Sequence, residues 1–525
     1  MFLLVTGFFY INDTYSYIRE VIAFGLFTAV LLVLVTVLNS LQTRKIIFGF
    51  LSIILVLLLF VKMSFYMFYG AKINASALFV IFETNTYEAS EFLNSFINKE
   101  IIVLFFVLLL MLFFVLIKLF YTEKISMKLR LIPVLMFKHK LIKLFVFLLA
   151  IFSCYTIFTR FSNENVFLTS YTSHKDYILL KENLKNTLAQ KESSYVANFL
   201  SSNEEQTYVV IIGESTSNSH MELYNYNRDT NPLLREIEDE LYVFEDVISP
   251  HVHTIESLEK ILTLSNYDSP NKKMNASIVQ LANQSGFTTY WLSNQRPVGI
   301  YESIPTMIGN AASNRYFINS DDSIFNVYDE KLLPYLDKVL ENTSEKKMIF
   351  IHLMGTHIGY DKRYPEKFEY FSGENEKTKY KHDKSEKLVN SYDNAIRYND
   401  SIVREVIDKV KAKNTNSYVA YFSDHGDELY DTSDMVGHDM YNTTPSMYEV
   451  PFIVWMSEKH KLKHPEFLDK LKVVKRSYNL EDFIHSFSDL SGISFNEYDA
   501  TRSVFNIQYQ QRKRIIKDGV DYDKK

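Results

Sequence analysis

A chain of 525 residues, 47% hydrophobic and 15% aromatic, is long enough for more than one domain. Its net charge of −6 argues against nucleic acid as a partner. The single cysteine, Cys154, excludes an intrachain disulfide and a thiolate-based zinc site, so an exported domain has to stand on its packed core.

Residues 1–12, "MFLLVTGFFYIN", are too short to cross a bilayer and lack the basic start of a signal peptide, so they read as the tail of a first helix. Four apolar runs follow at 21–38, 46–66, 101–117 and 144–159, each near the length needed to span. Arg44 and Lys45 lie between the first two of these runs. Lys118, Lys124, Lys128, Arg130, Lys138, Lys140 and Lys143 lie between the last two. The positive-inside rule makes both loops cytoplasmic. Residues 13–20, the loop 67–100 and everything after Arg160 then lie on the other side. The expected architecture is an N-terminal α-helical transmembrane domain over 1–160. Its loop 67–100 contains "FETNTYEASEFL", which also suits an amphipathic helix capped by Asn85 or Thr86.

Residues 161–204 mix charge with apolar side chains and read as a linker with a helix lying on the membrane surface. From 205 to 512 the pattern changes. Short apolar runs at 207–213, 288–293, 347–353, 417–423 and 451–456 read as buried parallel strands. Helical patterns at 275–285, 329–341 and 393–412 separate them, which predicts an α/β domain with helices on both faces of the sheet. The charged residues 513–525 are expected to form a loose tail.

Ligands of such folds gather at the C-terminal ends of the strands. Glu214 follows the first run and His357 the third. Asp424, His425, Asp427 and Glu428 follow the fourth, and His438 comes shortly after. In "HVHTIESLEKIL", 251–262, Thr254 stands at the mouth of a helix. Each residue has a plain structural reading: Thr254 as a helix cap, Glu214 as a cap, Asp424 as a turn former, His357 as a solvated side chain. Their joint placement has a chemical one. Carboxylates and imidazoles without thiolate suit zinc or manganese. A cation there would lower the hydroxyl pKa of Thr254, and the helix N-terminus would favour a phosphoryl group. That combination fits metal-assisted phosphoryl or sulfuryl transfer through a covalent Thr254 intermediate.

Several longer stretches carry a family resemblance: "VVIIGESTSNSHMELYNYNRDTNPLL", "HTIESL", "WLSNQ", "IHLMGTHIGYDKRYP", "YDNAIRYND", "YFSDHGDELYD" and, near the membrane, "FVIFETNTYEASEFL". Together they resemble the phosphoethanolamine transferases of the alkaline phosphatase and sulfatase superfamily, in the branch that modifies the lipopolysaccharide core. The resemblance spans nearly the whole chain. It implies an alkaline-phosphatase-like αβα sandwich in the periplasm, carried by a multi-pass domain in the bacterial inner membrane. The implied reaction takes phosphoethanolamine from phosphatidylethanolamine, holds it on a threonine with the help of zinc, and passes it to a lipopolysaccharide core sugar or another envelope acceptor. Diacylglycerol is released.

Carried over by position, the resemblance makes Thr254 the nucleophile and Glu214, Thr254, Asp424 and His425 the ligands of one zinc ion. It assigns His357 and His438 to the transferring phosphate or to a second ion, and Thr84 and Glu88 to the ethanolamine end. Two positions depart from the pattern. Val80 replaces an asparagine found in some relatives, and the loop after "WLSN" lacks a lysine. Asn294 is left as a substrate-contact candidate there, with Arg296 nearby. His251 and His253 receive no ligand role. The alternatives within the fold are a phosphoglycerol transferase and a sulfatase-type hydrolase. A threonine in place of a modified Cys or Ser argues against the latter. Intact Glu214, Thr254, Asp424 and His425 argue against an inert scaffold.

Overall fold

The structure is a computed structural model. It describes residues 14–37, 40–69, 73, 78, 99–121, 140–161, 165–199, 204–295, 304–319, 327–374, 378–439, 442–465 and 470–524. Two compact units divide the chain, Met1–Leu179 and Leu180–Lys525. The loop containing Thr84 and Glu88 lies outside the described residues, as do residues 1–13 and most of the basic loop before Lys140.

The first unit contains the helices Thr14–Val37, Leu41–Tyr69, Lys99–Tyr121 and Lys140–Thr159. Among the described residues, Gln42–Met67 and Lys99–Phe120 are long and apolar enough to cross a membrane, and Leu144–Thr159 is a shorter apolar helix. Leu110, Phe113, Phe114, Phe145, Phe147 and Phe152 are all more than half exposed. Such a surface is unfavourable in water and suited to hydrocarbon. The chain is already helical at Thr14, so residues 14–20 are not the loop expected there. Within this unit Glu20 and Lys62 are both buried and pair with each other, so neither charge is left unopposed.

The helix Val166–Thr187 occupies the place of the expected linker helix. The rest of the linker is built into the second unit. Ala197–Phe199 pairs antiparallel with Ile493–Phe495, and the Gln280 side-chain amide donates to the Thr187, Gln190 and Glu192 carbonyls.

The second unit is organised by a seven-stranded sheet. Its strands are β1 (Gln206–Gly213), β2 (Leu241–Val243), β3 (Thr288–Ser293), β4 (Asn314–Phe317), β5 (Lys346–His352), β6 (Asn416–Ser423) and β7 (Phe452–Met456). The spatial order is β2-β7-β6-β1-β5-β3-β4. Strands β6, β1, β5, β3 and β4 run parallel, whereas β7 is antiparallel to both β6 and β2. The run at 451–456 was expected to be parallel. The chain leaves β6 at Ser423 and re-enters the sheet at the same end, with Phe452 opposite Phe422, so no crossover is made. A buried apolar run looks the same in either direction, so its residues do not reveal this.

Alternate residues of each strand feed two cores, as the period of two requires. Val210, Ile212, Phe350, Ala420, Phe422 and Phe452 pack with Leu258, Ile261, Ile278 and Phe487. Val209, Ile211, Ile349, Ile351, Val419 and Ile453 pack with Leu336, Val403 and Val406. Helices Thr254–Leu262, Ile278–Gln284 and Phe483–Ser491 therefore cover one face, and Leu333–Leu340 and Asp383–Ala412 the other. The result is an αβα sandwich.

The residues expected to form a loose tail do not. Ile515–Ile516 pairs with Val520–Asp521, Arg514 bridges Asp246 and Asp523, and the Tyr522 hydroxyl donates to Glu449. Ile516 is buried with Ile248, Val252, Met447 and Tyr448, directly behind the segment that leads to Thr254. Those four residues are more than sixty positions away in sequence, so charge content alone misreads the segment. Ile516→Ala is expected to cost about 2–5 kcal/mol, seen as a lower thermal transition of the full-length chain in detergent. An unchanged transition would mean that the tail is not part of the fold.

Candidate active site

Strands β1, β5 and β6 end in step: Ile212 lies opposite His352, and Gly213 opposite Ser423. Whatever follows them must emerge together. Glu214 follows β1 and Asp424 follows β6, and both are fully buried.

The turn after β1 is held from three sides. Ser215 adopts a left-handed backbone (φ 57°), an uncommon conformation for a residue with a side chain. The Tyr392 hydroxyl, from helix Asp383–Ala412, donates to the Ser215 carbonyl (2.7 Å) and accepts from the Ser217 N–H (2.8 Å). Thr356 donates to the Glu214 carbonyl through both its N–H and its hydroxyl, each at 3.0 Å. Gly355 makes this approach feasible, because a Cβ there would lie 2.8 Å from the Glu214 nitrogen. Further out, His220 bridges Asp393 (2.7 Å) and Asp431 (2.9 Å), while Tyr226 and Arg228 hold the other Asp393 oxygen, each at 2.8 Å. Burial works against the charged imidazole, but Asp431 and Asp393 hold its pKa up to about 10. The motifs "NSHMELYNYNRD" and "YDNAIRYND" are thus two halves of one bracket that locks the helix onto the Glu214 turn.

Asp424 Oδ1 accepts from the N–H groups of Ser215 (3.0 Å) and His425 (2.7 Å), which aims the carboxylate inward. Its Oδ2 is buried with no hydrogen-bond partner. His425 Nδ1 faces the Gly426 carbonyl at 3.0 Å and must donate to it, leaving Nε2 turned to the carboxylates. That Nε2 lies 3.3 Å from Glu214 Oε1 and 3.6 Å from Asp424 Oδ2. Thr254 Oγ1 completes the group, at 3.1 and 3.3 Å from the two Glu214 oxygens and 3.3 Å from His425 Nε2. Thr254 is the first residue of its helix. His253 holds the cap position and makes no side-chain cap bond, so the capping reading of Thr254 is not realised and its hydroxyl is turned to the cluster.

The electrostatics of this group are unbalanced. Burial pushes the Glu214 pKa up, but the hydrogen bond and charge of His425 outweigh it and hold the carboxyl well below its ordinary range. Burial and then the Glu214 charge push Asp424 up to about 8. Burial pulls His425 down, and the charges of Asp424 and Glu214 raise it to about 10. Two carboxylates share one imidazole, and protons make up the missing positive charge. A divalent cation answers the same deficit and gives the orphan Asp424 Oδ2 a partner. The ligand atoms of Glu214, Asp424 and His425 lie within 4.8 Å of one another, and their oxygen and nitrogen donors fit a zinc-type ion. An ion held there sits beside the Thr254 hydroxyl.

The other expected site residues divide. His438 joins the cluster: its ring lies 4.2 Å from that of His425, and its Nδ1 is 2.7 Å from Asp427 Oδ1, forming a second group with ligand potential. His357 faces the Ile358 carbonyl at 3.3 Å and belongs to none of the ligand groups found among the described residues. Asn294 directly follows the last residue of β3. It is fully buried, and its side-chain amide donates to the Val327 carbonyl (2.7 Å) and Asp329 Oδ1 (2.9 Å). Its neighbour Gln295, passed over in the sequence, lies near Glu214 Oε2 (3.4 Å) and donates to the Leu353 carbonyl (3.0 Å). His251, His253 and Glu256 form a third group. Burial and then Lys260 push His251 well below the ordinary histidine value, and burial and then His438 do the same to His253.

Residues 206–493 match the family model described as sulfatase. The chain is 33% identical over 521 residues to phosphoethanolamine transferase EptC of Escherichia coli (strain K12), covering 91% of this chain and 86% of that one. It is 31% identical over 499 residues to phosphoethanolamine transferase CptA of Salmonella typhimurium (strain LT2), covering 88% and 83%. Among solved structures, the C-terminal periplasmic domain of Escherichia coli EptC in complex with Zn matches at a TM-score of 0.60 and 36% identity, covering 63% of this chain and 96% of that one. The integral membrane protein EptA of Neisseria meningitidis shares the fold over 88% of this chain and 86% of its own, at a TM-score of 0.62 and 18% identity. An αβα domain whose strand ends gather two carboxylates, an imidazole and a hydroxyl is that of an alkaline-phosphatase-like enzyme of the sulfatase class. Within that class, the chain belongs to the phosphoethanolamine transferase family.

Tyr392→Phe strands the buried Ser217 N–H and Ser215 carbonyl. It is expected to lower stability by about 1–3 kcal/mol and to weaken metal binding at Glu214. Calorimetry and a chelator competition on the same sample check this; a variant with unchanged stability and affinity would mean that the hydroxyl does not hold the turn.

In metal-free protein, Asp424 and His425 both have folded pKa values above their ordinary ones, so both favour the folded state while protonated. That contribution is full at low pH and is lost as pH rises through about 8 and then about 10. Glu214 has the opposite sign, but its folded value lies far below this window. The melting temperature of chelator-treated protein should therefore fall between pH 6.5 and 9, and a bound divalent cation should flatten the slope. Equal slopes with and without metal would contradict this electrostatic picture.

Proposed function

We propose that this protein transfers phosphoethanolamine from phosphatidylethanolamine to an acceptor of the bacterial cell envelope, by way of phosphothreonine at Thr254. One observation carries the reading: Thr254 Oγ1 lies 3.1–3.3 Å from Glu214 and His425, inside a buried group that needs a cation. Glu214, Asp424, His425 and Thr254 are the ligand set, and the zinc complex of the related EptC domain supports zinc as the ion. When bound, zinc would favour ionisation of the hydroxyl and stabilise negative charge on the phosphoryl oxygens.

In the first half-reaction a bond forms between Thr254 Oγ1 and the donor phosphorus. The bond from phosphorus to the glycerol oxygen breaks, and diacylglycerol leaves with a proton. In the second, an acceptor hydroxyl attacks the same phosphorus, the bond from phosphorus to Thr254 Oγ1 breaks, and the proton lost by the acceptor restores the Thr254 hydroxyl. Glu214 accepts the hydrogen bond that orients the Thr254 hydroxyl for the first step. His438, held by Asp427, and His357 are assigned to the transferring phosphate or to a second ion. Thr84 and Glu88 are assigned to the ethanolamine, a carboxylate being the natural partner of its ammonium.

The N-terminal helices make up a multi-pass anchor in the inner membrane, with the catalytic domain in the periplasm. The exposed apolar helices support this placement, and it brings the site to its lipid donor. A lipopolysaccharide core sugar is the acceptor the reading favours.

The test uses full-length protein with vesicles of phosphatidylethanolamine. Mass spectrometry should find one phosphoethanolamine group on Thr254, with release of diacylglycerol. Thr254→Ala should lose the adduct and reduce turnover by about 10³-fold or more, while Thr254→Ser keeps measurable activity. Headgroup loss from phosphatidylglycerol instead, or full activity in Thr254→Ala, would overturn the proposal.

A further inference from the structure

The segment that delivers Thr254 carries chemistry that the transfer reaction leaves unused. His251, His253 and Glu256 lie within six residues, and their ligand atoms are within 4.8 Å of one another. His251 is buried. The Nδ1 of His253 and the Oε2 of Glu256 are both shut off from solvent with no hydrogen-bond partner. Orphaned atoms of this kind are uncommon in folded proteins and call for an explanation.

The neighbouring ammonium does not supply one. Lys260 directs its Nζ to the Glu256 backbone carbonyl (3.3 Å) and over the Tyr267 ring (4.8 Å), so that contact does not satisfy Oε2. An anion would meet the Glu256 carboxylate here. Two imidazoles and a carboxylate with an unpaired oxygen are instead a donor set for a divalent cation of the zinc type.

We propose that His251, His253 and Glu256 form a second cation site, separate from the one at Glu214, Asp424 and His425. Among the described residues, the hydrogen bond from the His253 N–H to His251 Nδ1, long at 3.2 Å, is a contact it displaces. The imidazole rings of His425, His438, His253 and His251 follow one another at 4.2, 5.3 and 5.5 Å between centroids, so the site is linked to the first through His438. Because His253 and Thr254 are consecutive, the ion adds positive charge beside the hydroxyl, where an anionic group of a substrate would be received. This site differs from the assignment of a second ion to His357 and His438, and it does not depend on the transfer reaction.

The test is a zinc count. Full-length protein in detergent is loaded with zinc chloride, dialysed against zinc-free buffer and assayed by plasma mass spectrometry. The wild type should hold at least two ions per chain. His251→Asn/His253→Asn should hold one fewer than the wild type, and His357→Asn/His438→Asn should still hold the ion that the former variant loses. Glu256→Gln changes little in volume and guards against misfolding of the double variant. It should weaken the second ion by at least about tenfold in competition with a chromogenic chelator, leaving the first unchanged. One ion in the wild type, or loss of the second ion from His357→Asn/His438→Asn alone, would overturn the inference. So would unchanged zinc affinity in Glu256→Gln. Since zinc content is read rather than turnover, such a result leaves the proposed reaction standing.

Discussion

Two carboxylates and one imidazole are packed into a space from which water is excluded, and the rest of the catalytic unit is arranged to keep them there. The parallel register of β1, β5 and β6 brings Glu214 and Asp424 to one edge. Backbone N–H groups hold one Asp424 oxygen and leave the other bare. Left to themselves these groups need protons to coexist, which is a poor use of a buried cluster. A divalent ion would offset the two carboxylate charges and would supply the positive charge that the proposed phosphoryl transfer calls for.

The scaffolding around this cluster explains several stretches that carry no chemistry of their own. The His220 bracket, the Tyr392 hydroxyl and the Gly355 approach all act on the backbone of one turn. They hold Ser215 in a conformation that an L-residue seldom adopts. Much of the motif-rich sequence therefore gives structural support to Glu214.

What was legible in the sequence follows from this. Strands buried on both faces announce themselves as apolar runs, so Glu214, Asp424 and His425 could be singled out just beyond their ends and Thr254 at the mouth of a helix; the structure brings the four side chains together. Direction could not be read for β7, because an apolar run has no polarity. Asn294 and Gln295 are adjacent amides with opposite fates: one is tied to Asp329 in the interior and the other reaches Glu214. Composition does not distinguish them. The tail was misread because Arg514 finds Asp246, 268 residues away. The His251, His253 and Glu256 group escaped because a histidine pair before a helix has many structural uses.

The central claim is that a cation bound by Glu214, Asp424 and His425 lies in reach of the Thr254 hydroxyl. Anomalous diffraction at the zinc edge from crystals of the full-length protein measures this most directly. The account predicts a peak about 2.0–2.2 Å from ligand atoms of all three residues, with Thr254 Oγ1 at the same distance. Zinc found only elsewhere, or at that place with Thr254 turned away, would contradict it.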